Sequence, residues 1–255
     1  MDEIALDAAV LGAMASLYPG GGIPVADAVA LREPRAPASP MVNRVGGLGL
    51  REPATEAALD AVAEAMRGVR HYVAVSPRAR PGSLGGWLAD RGYTPGWGWM
   101  QFARGVDDVP AAGTDLDVVS LPSARSEAFG RVVVSTFGLP PALVDFVAEV
   151  PAHPAWHAFA ALDGGRLVAT GAVHVAPPYA TLSFGATAET HRGRGGQGAI
   201  LAARIRLARE LGCSVVLTET GERVPDRPSQ SYRNILRAGF AERYVVANWL
   251  SPEPA

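Results

Sequence analysis

The stretch Thr190-His191-Arg192-Gly193-Arg194-Gly195-Gly196-Gln197-Gly198-Ala199 decides how this chain is read. It lies between a strand-like apolar run and the helical pattern of residues 199–211, in which Leu201, Ile205 and Ala208 share one face. Its four glycines let the backbone turn N–H groups inward. A helix N-terminus adds partial positive charge, so a loop of this kind is suited to hold a phosphate or pyrophosphate. Arg192 and Arg194 add full charges beside it. Taken alone, the pattern is equally that of a tight turn with two solvated arginines.

The flanking order narrows the choice. Upstream, residues 117–121 read as a strand and 123–137 and 143–149 as helices. Residues 156–162 and 166–174 are apolar runs joined by Asp163-Gly164-Gly165, a hairpin signal, and residues 179–186 supply a third strand. Downstream, Gly212 closes the long helix, residues 214–220 form a Val- and Thr-rich strand, residues 229–237 a helix ending at Ala238-Gly239-Phe240, and residues 244–249 a last strand. A P-loop needs Lys and then Ser or Thr where Gln197-Gly198-Ala199 stand. A dinucleotide fingerprint needs an acidic residue about 20 positions on, where Glu219 falls. That motif, however, opens on the first strand of its domain, and this loop follows a hairpin and a third strand.

With the segment Ser231-Tyr232-Arg233-Asn234-Ile235-Leu236-Arg237-Ala238-Gly239-Phe240, the loop resembles the GNAT superfamily of acyl-CoA N-acyltransferases, over about 135 residues from Leu116 onward. The family's pyrophosphate loop runs Arg/Gln-x-x-Gly-x-Gly/Ala, matched by Arg192 and Gly195, with Gln197 a departure at the last position and Gly198 one step later. The resemblance implies an α+β fold: a mixed, mostly antiparallel sheet, splayed between two parallel central strands and flanked by helices. Acetyl-CoA is the implied co-substrate, with no metal. Backbone groups of Ala186, Thr187 and Ala188 are expected to pair with the pantetheine arm. The amides of Gly193, Arg194, Gly195, Gly196, Gln197, Gly198 and Ala199, with Arg192, are expected to hold the pyrophosphate, and Ser231 and Asn234 to contact the coenzyme or simply cap and solvate their helix.

Catalysis in the family is direct attack by an amine on the thioester, with a base and an acid in attendance. Many members carry the acid as a tyrosine five residues before the Phe of the Gly-Phe pair. Here Ile235 holds that position, leaving Tyr232 or Tyr244 to substitute. Glu219, near the C-terminal end of its strand, is the first candidate base, against a plain surface carboxylate or a partner for Arg223. His157, His174 and His191 are lesser candidates, His191 being expected to face solvent. Cys213 follows a helix-closing glycine with no basic partner nearby and reads as a packing residue. The alternative to an enzyme is a sensor or scaffold that binds acyl-CoA without turning it over.

Two segments rich in turn formers, residues 32–40 with three prolines and residues 105–113, punctuate the first half. The second suggests a division into residues 1–105, a linker at 106–114 and the acyltransferase domain at 115–255. Residues 52–67 read as an amphipathic helix, 71–75 as a strand and 84–91 as a short helix before Gly92-Tyr93, followed by a strand at 97–103. That order echoes the later Gly239-Phe240 and its strand, which suggests two similar halves, as in tandem members of the family. Asn43 to Leu50 is the glycine-dense part of this half, and a phosphate role there needs more than Arg44.

A formal net charge of −2 gives no electrostatic reason to expect nucleic acid or an anionic membrane as partner. No apolar run is long enough to span a bilayer, the N-terminus lacks a basic leader, and the one cysteine has no disulfide partner. The expectation is a cytoplasmic protein, monomer or homodimer, acting on a small-molecule amine.

Overall fold

The structure, a computed structural model, describes residues 2–223 and 230–254. They fall into two compact units, Met1–Gln101 with Tyr244–Ala255, and Phe102–Arg243. Both dividing points lie inside strands, so the last strand returns to the first unit. The turn-rich segment 106–114 lies within the second unit.

In the first unit, α1 (Glu3–Ala15) starts at Asp2, whose side chain accepts the Ile4 N–H. Next come β1 (Ile23–Val25), β2 (Ala28–Leu31), β3 (Arg44–Gly46), α2 (Glu56–Ala65), β4 (Tyr72–Val75), α3 (Leu84–Asp90), β5 (Thr94–Pro95) and the start of β6 (Trp99–Gly105). The β1, β2 and β3 strands pair antiparallel in turn, and β3 and β4 pair parallel across α2. Val45, Leu59, Val62, Met66, Val73, Leu84 and Leu88 form the core between these strands and helices. Helix α3 ends with Gly92 at φ +80°, its N–H on the Ala89 carbonyl and the Tyr93 N–H on that of Leu88. This Schellman turn satisfies carbonyls that the helix end would otherwise orphan.

His71 is buried in this unit. Its Nδ1 lies 3.0 Å from the Val69 carbonyl and so carries the proton, which leaves Nε2 to accept the Tyr93 hydroxyl at 2.9 Å. Burial pushes its pKa down. Below the unfolded value of about 6.5 the unfolded chain therefore binds more protons than the folded one. The stabilisation is complete above that pH and is lost as pH falls through the folded value. Denaturant unfolding is expected to show stability dropping from pH 7 to pH 5, with a shallower slope in His71→Gln. Equal slopes contradict this account.

The second unit runs β7 (Asp117–Ser120), α4 (Ser126–Phe137), α5 (Val144–Ala148), β8 (Trp156–Asp163), β9 (Arg166–Ala176), β10 (Tyr179–Thr187), α6 (Gly196–Glu210), β11 (Val215–Gly221), α7 (Gln230–Arg237) and the start of β12 (Ala241–Leu250). Ser229, read from sequence as the start of the last helix, lies outside the described residues. Strands β7 to β10 form an antiparallel meander, and β11 joins β10 parallel. Helix α6 covers the sheet face that carries Ala161, Ala169 and Gly171, packing Ile200 there. Side chains alternate along strands, so Trp156 and His174 point to the other face, where Phe184 lies between Trp156 and Phe129 of α4. No helix among the described residues is long and apolar enough to cross a membrane.

Candidate functional site

The parallel strands β10 and β11 pair from Tyr179 opposite Val215 to Leu182 opposite Thr218. Both continue, β10 to Thr187 and β11 to Gly221, but no longer pair with each other. The parting has a local cause. Between Ser183 and Ala186 the register of β10 against β9 shifts, and Phe184 takes a φ of +57°. Such a bulge bends its own strand away from the neighbour. The Thr218 hydroxyl, donating to the Leu182 carbonyl at 3.1 Å, marks the last hold.

A bulge leaves carbonyls without ladder partners, and here side chains supply them. The Ser183 carbonyl accepts from Arg204 at 3.2 Å, that of Phe184 from the Thr170 hydroxyl at 2.9 Å, and that of Ala186 from the Gln197 amide at 2.6 Å. Gln197 also donates to the Thr170 carbonyl at 2.9 Å, and Arg204 to that of Ala172 at 3.1 Å. Gln197 and Arg204 stand seven residues apart and so share one face of α6. Arg204 is buried with no ion pair among the described residues, and burial pushes its pKa down. Carbonyl dipoles take the place of a carboxylate around it. Gly171 makes room: a β-carbon there would lie 2.6 Å from Ile200 Cγ2 and 2.8 Å from Arg204 Cζ.

At the end of β10, the Ala188 N–H donates to the Val168 carbonyl at 2.9 Å. Ala188 and Ala186 thus turn their main-chain groups toward the protein. Backbone groups alternate along a strand, so Thr187 turns its own toward the parted side. The Thr187 hydroxyl is buried and has no hydrogen-bond partner among the described residues. Of the three residues expected to meet the pantetheine arm, Thr187 has the main chain that faces the gap.

Beyond it lies the glycine loop. Gly195, at φ +79°, is the N-cap of α6, and no side chain caps that helix. Among the described residues, no acceptor takes the N–H groups of residues 193–198. The loop is held from behind, where a β-carbon on Gly195 would collide with the Gly113 carbonyl oxygen and the Thr114 hydroxyl donates to the Arg194 carbonyl at 2.7 Å. The Arg194 guanidinium reaches Asp115 at 2.5 Å and Asp163 at 2.8 Å and holds both carboxyls below their usual range. Its full charge, placed by the sequence beside the loop, is therefore met by carboxylates. The Arg194 side chain braces the loop. Arg192 is exposed and forms no ion pair among the described residues. His191, expected to face solvent, instead lies 3.2 Å from Asp163 through Nε2 and 2.8 Å from the Thr190 hydroxyl through Nδ1.

Helix α7 ends in a Schellman turn, with Gly239 at φ +79° and the Phe240 N–H on the Ile235 carbonyl at 3.3 Å. Ile235 is buried. Tyr232, also buried, sets its ring edge-on to Phe102 and donates its hydroxyl to Glu242 at 2.6 Å. Burial and Glu242 push its pKa up to about 12. Arg223 lies over the Tyr232 ring and 3.8 Å from Glu242. Ser231 is exposed, and Asn234 accepts from Arg237 at 3.2 Å. Glu219 is half-buried, directly after Thr218, the last residue of β11 that pairs with β10. Tyr244 belongs to the first unit, where its hydroxyl lies 2.9 Å from Asp7 Oδ1 and 3.0 Å from the Glu3 carbonyl.

The Cys213 thiol is buried, donates to the Tyr179 carbonyl at 3.2 Å and has its pKa raised by burial, the opposite of an activated thiolate. Burial pushes the pKa of His174 down, and its ring meets Trp156 edge-on. Sequence reasoning missed Arg204 and the structural use of Gln197. The one available signal was an arginine among Ile200, Leu201, Ile205 and Ala208 in an otherwise apolar stripe.

A sheet that parts between two parallel strands, beside a helix that starts in a glycine loop, is the GNAT-type α+β fold. No protein-family model and no curated protein sequence matches the chain. Solved structures do. A GCN5-related N-acetyltransferase from Kribbella flavida aligns over 97% of this chain and 94% of its own, with a TM-score of 0.67 at 18% identity. For a GCN5-related N-acetyltransferase from Sphaerobacter thermophilus the values are 89%, 76%, 0.65 and 15%. A tandem GNAT protein from the clavulanic acid biosynthesis pathway covers 85% of this chain and 75% of its own, with a TM-score of 0.58 at 15% identity. At these identities the likeness establishes the fold.

Proposed function

We propose that the chain is an N-acyltransferase that moves an acetyl or similar short acyl group from acyl-CoA to a primary amine of a small molecule. The observation that carries this reading is the pairing that stops at Leu182 and Thr218 next to a loop whose N–H groups have no acceptor among the described residues. The residues present fit the coenzyme. Backbone amides of residues 193–198 and the Arg192 side chain would hold its pyrophosphate. The main chain and orphaned hydroxyl of Thr187 would meet its pantetheine arm.

Bound acetyl-CoA supplies an activated thioester, open to direct attack by an amine in a ternary complex. Glu219, at the point where the strands part, would take the amine proton. Tyr232, the candidate acid that falls in this unit's described residues, keeps its proton at neutral pH and directs it at Glu242. The two halves are read as tandem copies. Each runs an antiparallel pair, a strand, a helix, a parallel strand, a short helix and a Gly-aromatic Schellman turn.

Buried Ile235 and the Tyr232–Glu242 bond favour a second reading, an acyl-CoA sensor that does not turn over. Thiol release from acetyl-CoA with a panel of small amines separates the two. Turnover with any amine excludes the sensor, and tight coenzyme binding without turnover favours it. With an active amine in hand, Glu219→Gln is expected to lower kcat by about 100-fold or more, as loss of a general base does, while coenzyme affinity stays unchanged. Wild-type kcat in that variant removes Glu219 as the base. Tyr232→Phe is expected to lower kcat less.

A further inference from the structure

The first unit carries its own strand, glycine-bearing loop, helix and parallel strand, namely β3, residues 47–55, α2 and β4. Its Gly49 matches Gly195 in two respects. It has the same φ of +79°, and it presses against a carbonyl from another segment, a β-carbon there lying 2.5 Å from the Arg80 oxygen. Backbone bonds from Arg80 to the Gly49 carbonyl at 2.9 Å and from Ala54 to the Arg80 carbonyl at 2.7 Å fix the loop in this shape.

The two loops differ in what meets their N–H groups. In the first unit, Asp27 Oδ1 accepts from the Gly49 N–H at 3.2 Å, and Oδ2 from those of Arg51 at 3.1 Å and Glu52 at 3.2 Å. Arg51 also clasps the Asp27 carbonyl at 2.8 Å. Asp27 sits in the two-residue turn between β1 and β2, where Val25 pairs with Ala28 and Ala26 takes a φ of +51°. The following helix is closed as well, since the Thr55 hydroxyl caps it by accepting the Ala58 N–H at 3.2 Å. Helix α6 has no side-chain cap.

Three N–H groups converging on one carboxylate are what an anion-binding loop offers to the oxygens of a phosphate. We propose that the Asp27 carboxylate is a built-in anion that fills the loop of the first unit. A tethered carboxylate acts at high effective concentration, and its charge repels a phosphate approaching the same amides. The first unit is thereby closed to coenzyme, and the chain takes one coenzyme, at residues 193–198. That stoichiometry rests on the proposed coenzyme reading. The self-filled loop does not.

The test is residue-resolved amide NMR of the full chain during titration with inorganic pyrophosphate and, separately, with CoA. In the wild type both ligands are expected to shift the amides of residues 193–198 and to leave those of Gly49, Arg51 and Glu52 in place. In Asp27→Ala, pyrophosphate is expected to shift Gly49, Arg51 and Glu52 too, and to restore more thermal stability than it adds to the wild type. Asp27→Asn keeps the shape of the turn without its charge and serves if the alanine variant does not fold. Movement of the Gly49, Arg51 and Glu52 amides at wild-type saturation overturns the proposal, as does their silence in a folded Asp27 variant. Immobile amides at residues 193–198 sink the coenzyme reading alone.

Discussion

Gly195→Val is expected to lower coenzyme affinity at least about 100-fold, close to 2.8 kcal/mol, and to destabilise the second unit. Two costs meet at this residue. A β-branched side chain at a φ of +79° is strained by about 1–3 kcal/mol. The new β-carbon also collides with the Gly113 carbonyl oxygen, so the loop or the 112–115 segment must move. Movement of either carries the N–H groups of residues 193–198 away from a common anion. Gly193→Ala is the control. Its φ of +83° is equally unfavourable, but no atom lies within 4 Å of the added carbon. It should lose only a fraction of the affinity. Isothermal titration with CoA compares the two, and equal losses would mean that strain, and not the Gly113 contact, sets the loop.

Arg204→Ala is expected to destabilise the second unit by about 3–5 kcal/mol, combining a buried cavity with abandoned carbonyls. The guanidinium donates to Ala172 and Ser183, and its loss leaves both oxygens in an apolar setting. Relief from burying a charge works in the opposite direction. It does not win here, because the truncated side chain returns neither hydrogen bonds nor volume. Arg204→Gln, which keeps an N–H donor and part of the bulk, should recover part of the loss. Since the bulge parts β10 from β11, Arg204→Ala should weaken CoA binding even where the protein remains folded. Denaturant unfolding within about 1 kcal/mol of wild type would remove Arg204 from this account.

Much of the second unit was legible because its signals are local. The Asp163-Gly164-Gly165 hairpin, the Gly212 and Gly239 helix stops and the glycine loop all depend on backbone conformations that particular residues favour. The long helix begins at Gly196, ahead of the apolar periodicity that marks it from residue 199, because its first turn is the loop itself. The N-terminal helix Glu3–Ala15 was not resolved by pattern, since its apolar and alanine positions surround it instead of forming one stripe. Long-range pairings were beyond reach. Nothing near Arg194 in sequence announces Asp115 and Asp163, and Asp27 meets Gly49, Arg51 and Glu52 only because two separate turns converge. Tyr244 read as a possible acid from its place after Gly239-Phe240, yet its hydroxyl is held by Asp7 and Glu3.

The central claim is that the parted strands and the glycine loop of the second unit bind acyl-CoA. Isothermal titration of the full chain with acetyl-CoA, ATP and NAD tests it most directly. The account predicts saturable binding of one acetyl-CoA per chain, lost in Gly195→Val, with no matching signal from ATP or NAD. Binding of ATP or NAD in place of acetyl-CoA, or no binding of acetyl-CoA at all, would contradict it.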